Sequence, residues 1–208
     1  AQSLLWLGRL RPAALLTFGG YVSVPPVLAA RALRVPFGFH SADALPDRAA
    51  RLLARRARFV TVNYEQAGEA FEGVPVRVTG QPIRPWLLGA SRQQAARELG
   101  LDAARPTLLI MGGSQGARTL NVAAAKAAPE LIRKTQLQVI HLVGSRDYQW
   151  VVQQLQQDNI PSQRYRAFEF VTQMQWPLAL ADVAVTRAGA NGLAELAACG
   201  VAMIMVPY

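Results

Sequence analysis

The sequence contains very little cysteine, with Cys199 as the one thiol among 208 residues. A single thiol cannot form an internal disulfide, which excludes a small secreted fold held together by disulfides and favours a reducing compartment. Long hydrophobic runs are also missing, because arginines such as Arg9, Arg11 and Arg31 interrupt every apolar stretch near the beginning. We therefore expect no membrane-spanning helix, which requires about 18 or more predominantly apolar residues.

Acidic side chains are scarce relative to basic ones. There are 13 Asp and Glu against 22 Lys and Arg, which gives a formal net charge of +9. Such an excess favours an anionic partner, and nucleic acid, an acidic lipid surface and a phosphorylated substrate are the alternatives. The sequence has no basic platform interleaved with aromatic residues and no known reader motif, so we expect no nucleic-acid partner.

Three chemical motifs are absent as well. Neither Gly-x-Gly-x-x-Gly nor the Gly-Lys-Ser/Thr end of a P-loop occurs, which removes the main support for hydride transfer and for NTP hydrolysis. No Asp-x-Asp pair is present to clamp a divalent ion on a diphosphate. The sequence therefore predicts neither a metal ion nor a cofactor.

Short, branched apolar segments alternate with longer segments of helical periodicity, and 51% of the residues are hydrophobic. This alternation is typical of βαβ units and predicts an α/β fold with parallel sheets. The predicted strands are 14–18, 36–39, 59–62, 76–79, 107–111, 138–143, 164–168, 183–186 and 202–206. The predicted helices are 26–33, 48–56, 91–99, 118–132, 148–156, 173–179 and 192–198.

A turn or hinge is predicted between Thr79 and Pro85, where two prolines and a glycine separate regular segments. We place a domain boundary there, so that residues 1–85 form one domain and residues 86–208 form a second.

A glycine-rich loop follows the fifth predicted strand and leads into a helix, with the sequence Gly112-Gly113-Ser114-Gln115-Gly116. Without Cβ atoms the backbone N–H groups can approach phosphate oxygens, and the positive end of the helix dipole favours a negative group. The loop is thus a candidate diphosphate site. The alternative is a tight strand-to-helix turn that binds nothing.

A second glycine-containing turn follows the strand 183–186 and includes Ala190 and Asn191, ahead of Glu195 in the next helix. Ligands of open α/β sheets bind outside the carboxyl ends of strands, so a diphosphate at the first turn could extend toward this one. Glu195 is a candidate acceptor for the two hydroxyls of a ribose. Equally, its charge could merely complement the helix dipole.

Taken in order, these segments resemble the MurG-type N-acetylglucosaminyltransferases, which make lipid II in peptidoglycan synthesis. Each segment alone is weak, but the ordered set covers nearly the whole chain. The matching segments are Gly19 to Pro25, His40 to Pro46, Gly80 to Pro85, Gly112 to Arg118, Phe170-Val171 and Arg187 to Glu195.

The resemblance implies a GT-B architecture of two Rossmann-like domains, with UDP-N-acetylglucosamine in the C-terminal domain and a lipid-linked acceptor at the N-terminal one. It places the backbone of Val171 on the uracil, Met174 in that pocket, Glu195 on the ribose and Arg84 near the diphosphate. The implied donor-binding residues are Arg84, Gly113, Ser114, Gln115, Gly116, Val171, Met174, Ala190, Asn191 and Glu195. The implied acceptor-binding residues are Gly19, Gly20, Tyr21 and Ser23.

An inverting transfer also requires a group that removes one proton from the acceptor hydroxyl. His40, at a strand end, is the candidate base, with Asp43 to orient it, although a structural role is the commoner one for such a histidine. His141 lies inside an apolar run and is expected to be a core histidine with satisfied hydrogen bonds. Cys199 is expected to serve packing.

The chain also departs from the family pattern. The family's His-Glu-Gln-Asn is His40-Ser41-Ala42-Asp43 here, and its Asn-Pro-Val-Arg is Gln81-Pro82-Ile83-Arg84. The family's N-terminal Gly-Gly-x-Gly-Gly-His loop and its Gln-rich sugar motif fall outside the sequence. The resemblance therefore predicts a chain truncated at both ends, and inactivity of the isolated chain is one alternative.

The leading hypothesis is inverting, metal-independent transfer of N-acetylglucosamine to a polyprenyl-diphosphate-linked muramoyl peptide. One alternative is another GT-B enzyme, either a glycolipid synthase or a UDP-sugar epimerase. The other is a nucleotide-sugar-binding module that has lost catalysis, for which the altered segment 40–43 is the motivating feature.

A basic stripe completes the sequence-based expectations. Arg48, Arg51, Arg55 and Arg58 recur at helical spacing, and the apolar segment 4–7 is flanked by further arginines. Such a surface is usually only solvated, but it could also dock on anionic lipid. The resemblance implies a peripheral enzyme on the cytoplasmic face of a bacterial cell membrane, with roles in cell shape and division.

Overall fold

The computed structural model describes residues 2–113 and 115–207. The chain divides into two compact units, residues 1–82 and 83–208, and this division lies three residues before the predicted boundary at 85. Each unit is a parallel β-sheet with helices between its strands. The predicted α/β class is thereby confirmed.

In the first unit the sheet has four parallel strands in the order β1-β2-β3-β4. The strands are β1 Leu15–Thr17, β2 Phe37–Ser41, β3 Phe59–Val62 and β4 Val76–Val78. The helices are α1 Gln2–Leu10, α2 Val24–Ala32, α3 Arg48–Ala54 and α4 Glu65–Gly68, with a 3-10 turn at Tyr21–Ser23. Every residue of β2 is buried, which makes it the central support of this unit.

In the second unit five parallel strands lie in the order β7-β6-β5-β8-β9. The strands are β5 Thr107–Met111, β6 Gln138–Leu142, β7 Tyr165–Phe168, β8 Val183–Arg187 and β9 Ala202–Val206. The helices are α5 Arg92–Leu99, α6 Arg118–Lys134, α7 Tyr148–Gln157, α8 Gln175–Leu180 and α9 Ala190–Ala198, with a 3-10 turn at Pro85–Leu87. The chain order reverses between β5 and β8, which is where open α/β sheets form a binding crevice.

The core of the second unit lies on both faces of its sheet, because β5 is buried from end to end. Leu109, Ile140 and Leu196 pack on one face, and Ile110 and Val139 pack on the other. Complete burial of one such side chain contributes about 2 kcal/mol. This two-sided core holds the carboxyl ends of the strands in fixed positions.

All nine predicted strands are present, with ends that differ by at most two residues from the prediction, and each predicted helix is found. Helices α1 and α4 were not predicted from the sequence. The segment that forms α1 has no acidic residue in its first turn, and α4 is only one turn long, so both lack strong helix signals. Within the described part of the chain, none of the helices combines the length and hydropathy that a membrane span requires.

Arg92, at the beginning of α5, ties that helix to the sheet through its guanidinium group. Both of its terminal nitrogens reach the carboxylate of Asp182, each at 3.0 Å. The carboxylate also accepts the backbone N–H of Thr107, the first residue of β5, at 2.7 Å. The other acceptors of the guanidinium are the carbonyl oxygens of Ala103, Leu180 and Arg105, all at 2.8 Å.

We expect Arg92→Lys to destabilise the second unit by about 2 kcal/mol, because an ammonium group cannot reproduce this planar fork of hydrogen bonds. Chemical denaturation followed by tryptophan fluorescence measures the change, since three of the four tryptophans lie in residues 83–208. Arg97→Lys, at an exposed position of the same helix, is the matched control. Equal stability of both variants would contradict a structural role for the fork.

Candidate functional site

The two glycine-containing turns of the second unit open side by side. Strands β5 and β8 are parallel neighbours with Met111 opposite Thr186, so the loops that follow them leave the same edge. A cavity of about 310 Å³ lies between these loops. Its lining consists of Met111, Gly112, Gly113, Thr186, Arg187, Ala188, Gly189 and Gly192. The expectation that both turns share one edge of the sheet is thus confirmed.

The first loop presents backbone rather than side chains to this edge. Gly113 is exposed at φ +91°, and a Cβ added there would contact nothing within 4 Å. The residue before α6 is Ala117, which has no polar side chain to cap the first turn of the helix. Free N–H groups at a helix N-terminus together with open backbone suit an anion. The predicted site residue Ser114 lies outside the described residues.

The shape of the loop is fixed by a backbone contact with the neighbouring loop after β6. Gly116 adopts φ +75°, and a Cβ on it would lie 2.0 Å from the carbonyl oxygen of Val143. A Cβ on Gly144 would lie 2.6 Å from the backbone of Gln115. Both contacts are possible only for glycine, so the two loops hold each other in one conformation.

A chain of buried polar side chains supports this contact from below. Asn121, fully buried in α6, donates from Nδ2 to the carbonyl oxygen of Val143 at 2.9 Å and to Asp147 at 2.8 Å. His141 donates from Nε2 to Asn121 Oδ1 at 3.1 Å and accepts from the Tyr165 hydroxyl on Nδ1 at 3.0 Å. Both ring nitrogens of His141 are satisfied, as expected for a core histidine.

In this series of hydrogen-bonded side chains, the buried members are neutral and the member nearest the surface, Asp147, is charged. Burial lowers the pKa of His141 from 6.5 to about 4 and raises the pKa of Tyr165. Burial alone would raise the pKa of Asp147, but hydrogen bonds from Asn121 and Arg118 outweigh it and lower the pKa. Arg118 donates to Asp147 at 2.6 Å, so the series of buried polar side chains ends in an ion pair at the surface.

The loss of stability in acid depends on His141 through the difference between its two pKa values. The unfolded chain binds a proton near pH 6.5, whereas the folded chain resists it until about pH 4, so stability falls as the pH drops through this window. The expected loss between pH 7.5 and 4.5 is roughly 2 to 3 kcal/mol from this one group.

His141→Gln removes the titrating group. Between pH 7.5 and 4.5 we therefore expect the unfolding free energy of this variant to fall by roughly 2 to 3 kcal/mol less than that of the unmodified protein. Denaturation curves at both pH values for the two proteins measure the difference, which cancels any constant effect of the substitution. An equal acid-induced loss in both proteins would contradict the buried neutral state of the imidazole.

Arg84 and Glu195, both predicted to bind the donor, bind each other. The Arg84 guanidinium donates from Nε at 3.2 Å and from a terminal nitrogen at 2.9 Å to the same oxygen, Glu195 Oε1. Glu195 Oε2 makes no hydrogen bond within the described residues. The Glu195 side chain is 15% exposed and that of Arg84 41%. The pair therefore leaves one carboxylate oxygen and part of the guanidinium for a ligand.

The remaining predicted donor residues lie beyond the carboxyl ends of the same sheet. Gln115 and Gly116 follow β5, Val171 and Met174 follow β7, and Ala190 and Asn191 begin α9 after β8. Val171 is half-buried, and Met174 packs against the core. Parallel strands therefore bring all of them to one edge, and Gly113 lines the cavity itself.

Cys199 has the packing role expected of it. It lies against the core, with its Sγ 3.8 Å from the carbonyl oxygen of Leu87. Burial, with a further contribution from the Glu195 carboxylate, raises the pKa of the thiol. A thiol with a raised pKa is a poor nucleophile.

The first unit has its own cavity, of about 200 Å³, at the carboxyl ends of β1 and β2. It brings together three of the predicted acceptor residues with both predicted catalytic residues, namely Gly19, Gly20, Tyr21, His40 and Asp43. The fourth, Ser23, is buried and donates its hydroxyl to the Gly19 carbonyl oxygen. Ser23 therefore holds the glycine turn rather than facing the cavity.

The environment of His40 differs from the expectation. His40 is 2% exposed, accepts from the Thr61 hydroxyl on Nδ1 at 2.8 Å and donates from Nε2 to Gln81 Oε1 at 3.3 Å. The expectation that Asp43 orients the ring is thus wrong, because Thr61 and Gln81 occupy both nitrogens. Asp43 itself is exposed on the cavity wall.

Asn63, which the sequence did not single out, supports the cavity from behind. It donates from Nδ2 to Gln81 Oε1 and to the Ala42 carbonyl oxygen, both at 2.9 Å. Its own Oδ1 is buried without a partner among the described residues. The available signal was its position directly after β3, where polar residues of parallel sheets meet ligands.

Comparison with known proteins agrees with this geometry. Residues 1–62 match the glycosyltransferase family 28 N-terminal domain, and residues 107–208 match the glycosyltransferase family 28 C-terminal domain. The chain belongs to glycosyltransferase family 28. Membership in family 28 and two parallel α/β units confirm the predicted GT-B class.

Family 28 relatives extend the resemblance over most of the chain. The UDP-N-acetylglucosamine–N-acetylmuramyl-(pentapeptide) pyrophosphoryl-undecaprenol N-acetylglucosamine transferase of Halothermothrix orenii is 36% identical, over 97% of this chain and 56% of the relative. The crystal structure of MurG from Acinetobacter baumannii matches with a TM-score of 0.68 at 26% identity, over 99% of this chain and 55% of that one. The resemblance to MurG-type enzymes is confirmed.

A more distant family confirms the fold alone. The UDP-GlcNAc 2-epimerase of Neisseria meningitidis, solved bound to UDP-GlcNAc, matches with a TM-score of 0.65 at 15% identity, over 91% of this chain and 58% of that one. The family 28 chain described here spans about half the length of the relatives it matches.

Proposed function

We propose that this chain supplies most of the donor and acceptor sites of an enzyme that transfers N-acetylglucosamine from UDP-N-acetylglucosamine to a lipid-linked muramoyl peptide. The observation that carries the proposal is the 310 Å³ cavity between the turns after β5 and β8, with open glycine backbone at Gly113 on its wall. The Halothermothrix relative bears the name of this activity, and the Neisseria neighbour holds UDP-GlcNAc on the same fold.

In the proposed complex the diphosphate lies against the loop after β5. The backbone N–H groups of that loop, Ser114 and Gln115 provide donors, and the N-terminus of α6 contributes its dipole. Glu195 accepts the hydroxyls of the ribose, for which its Oε2, without a hydrogen bond in the described part of the chain, is available. The backbone of Val171 pairs with the uracil, and Met174 lines the pocket of the base.

Transfer with inversion forms a bond from the acceptor hydroxyl to the anomeric carbon and breaks the bond from that carbon to UDP. The negative charge that develops on the diphosphate is stabilised by Arg84, which is 41% exposed at the site, and by the α6 dipole. Because Arg84 and the α6 dipole stabilise the negative charge of the leaving group, we propose that the reaction is metal-independent.

The acceptor proton is proposed to leave at the cavity of the first unit. Both His40 nitrogens already have protein partners, whereas the Asp43 carboxylate is exposed on the cavity wall. We therefore assign proton removal to Asp43 and a positioning role to His40. The glycine turn Gly19-Gly20 and Tyr21 contact the acceptor.

Peripheral binding to an anionic membrane is proposed for the first unit. On α1 the side chains of Leu5, Trp6 and Leu10 are 64%, 57% and 67% exposed, next to Arg9 and Arg11. Apolar side chains beside cations favour the interface of an anionic bilayer. This contact would hold the enzyme at the cytoplasmic face, where it would serve cell-wall synthesis and, through it, cell shape and division.

One observation favours a second candidate, a nucleotide-sugar-binding module without catalysis. His40, which the sequence analysis proposed as the base, is buried and fully hydrogen-bonded. A chain that binds UDP-sugar but has no working base would have this appearance.

Calorimetric titration with UDP tests the donor site. The unmodified chain should bind UDP and bind 2′-deoxy-UDP at least about tenfold more weakly, the factor expected for a lost hydrogen bond to a charged group. Glu195→Gln should bind both nucleotides with similar affinity. Glu130→Gln, an exposed carboxylate of α6, is the control and should retain the preference. Absence of UDP binding would overturn the proposed function, and a preference retained in Glu195→Gln would place the ribose elsewhere.

Product analysis with a lipid I analogue separates the two candidates. The transferase releases UDP and forms a disaccharide, and Asp43→Asn should lower this turnover at least about a hundredfold, as loss of a general base does, without changing UDP affinity. UDP binding without any disaccharide would identify the binding module. Unchanged turnover in Asp43→Asn would exclude Asp43 as the base.

A further inference from the structure

A second cavity of the first unit lies at the opposite edge of its sheet, where the amino ends of β2 and β3 meet. It has a volume of about 220 Å³. Its lining contains four arginines, Arg31, Arg34, Arg56 and Arg58, and the remaining residues are Val35, Pro36 and Phe37. We call this set the arginine pocket. No carboxylate belongs to it, so its charge is uniformly positive.

The backbone of the arginine pocket is held rigidly. Arg58 donates its N–H to the carbonyl oxygen of Phe37 at 2.8 Å, which joins the beginnings of β2 and β3. Val35 donates to the carbonyl oxygen of Ala30 at 2.8 Å. Phe37, 3% exposed, forms an apolar floor. The guanidinium groups therefore project from fixed points around one cavity.

The four cations have no counter-ion among the described residues. Within residues 2–113 and 115–207 none of these side chains makes a hydrogen bond or an ion pair. Arg84, Arg92 and Arg118 in the second unit each bind a carboxylate. Like charges gathered around one cavity repel, and an anion bound there would relieve the repulsion.

Arg34 has a left-handed backbone conformation directly after the end of α2. Leu33 is the C-cap of α2, and the N–H groups of Arg34 and Val35 donate to the carbonyl oxygens of Arg31 and Ala30, respectively. This pattern is a Schellman motif, in which the residue at the position of Arg34 is usually glycine. Arg34 instead adopts φ +57°, a strained conformation for a side chain with a Cβ. Glycine at this position would relieve the strain but would remove one of the four guanidinium groups of the pocket.

We propose that the arginine pocket is a binding site for a phosphate group. Guanidinium groups bind phosphate oxygens through paired N–H donors, and several converging ones are typical of phosphate sites. The pocket lies at the amino ends of the strands, whereas the cavity with Gly19, His40 and Asp43 lies at the carboxyl ends. It is therefore separate from the proposed acceptor site, and it stands whether or not the chain transfers sugar.

The phosphate can belong to a soluble anion or to a lipid headgroup, and two measurements on the full chain distinguish these sources. One is calorimetric titration with inorganic phosphate. The other is cosedimentation with phosphatidylcholine vesicles that contain phosphatidylglycerol, compared with vesicles that carry equal charge as oleate. Binding of inorganic phosphate identifies a soluble anion, and preference for phosphatidylglycerol over oleate identifies a headgroup. Binding of neither overturns the proposal.

Arg34→Gly is the decisive variant, because it removes the guanidinium and relieves the backbone at the same time. We expect its melting temperature to be equal or higher and its affinity for the phosphate ligand to fall at least about tenfold, as loss of a charged hydrogen bond predicts. The affinity of the double variant Arg56→Gln and Arg58→Gln for the phosphate ligand should fall further. Arg77→Gln, an exposed arginine of β4 outside the pocket, should change the affinity less than about twofold.

Two results would overturn the proposal. One is unchanged affinity in Arg34→Gly and in the double variant. The other is an equal loss in Arg77→Gln, which would show that net charge alone attracts the anion.

Discussion

The backbone of Gly116 lies against the carbonyl oxygen of Val143 so closely that no side chain fits between them, and the proposed donor site depends on this contact. A Cβ would lie 2.0 Å from that oxygen, far inside the distance at which two atoms can coexist. The contact joins the loop after β5 to the loop after β6, and with them two neighbouring strands of the sheet. Gly116 in turn donates its N–H to the carbonyl oxygen of Gly113 at 3.0 Å, so its fixed position also fixes the open backbone that Gly113 presents to the cavity.

The buried polar chain beneath the contact explains why it persists. Asn121 donates a hydrogen bond to the Val143 carbonyl oxygen, His141 donates to Asn121, and Tyr165 donates to His141. Each buried donor in this series is therefore paired with an acceptor of the next group. Buried donors and acceptors are costly when unpaired, and a fully paired set makes one arrangement much more stable than its alternatives. The result is a loop that is organised before any ligand arrives, which lowers the entropic cost of binding.

The fold was predictable from the sequence because its signals are local. Buried strands such as Thr107–Met111 read as continuous apolar runs, and glycines mark the turns after β5 and β8. The helix α1 and the pairing of Arg84 with Glu195 were not predictable in this way. The helix has no acidic residue in its first turn, and the pair joins positions 111 residues apart.

The candidate base shows the same limit at one residue. A histidine at the end of a strand reads identically in the sequence whether its ring is free or held. Its partner Thr61 lies opposite His40 in the pairing of β2 with β3, and its partner Gln81 follows β4, so both are brought to the ring by the fold. The ion pair of Arg84 and Glu195 has a different consequence, because a bound nucleotide would compete for its members. A diphosphate that draws Arg84 away leaves the whole Glu195 carboxylate to the ribose, so recognition at one end of the nucleotide strengthens recognition at the other. The intact nucleotide is then bound more tightly than its separate pieces would suggest.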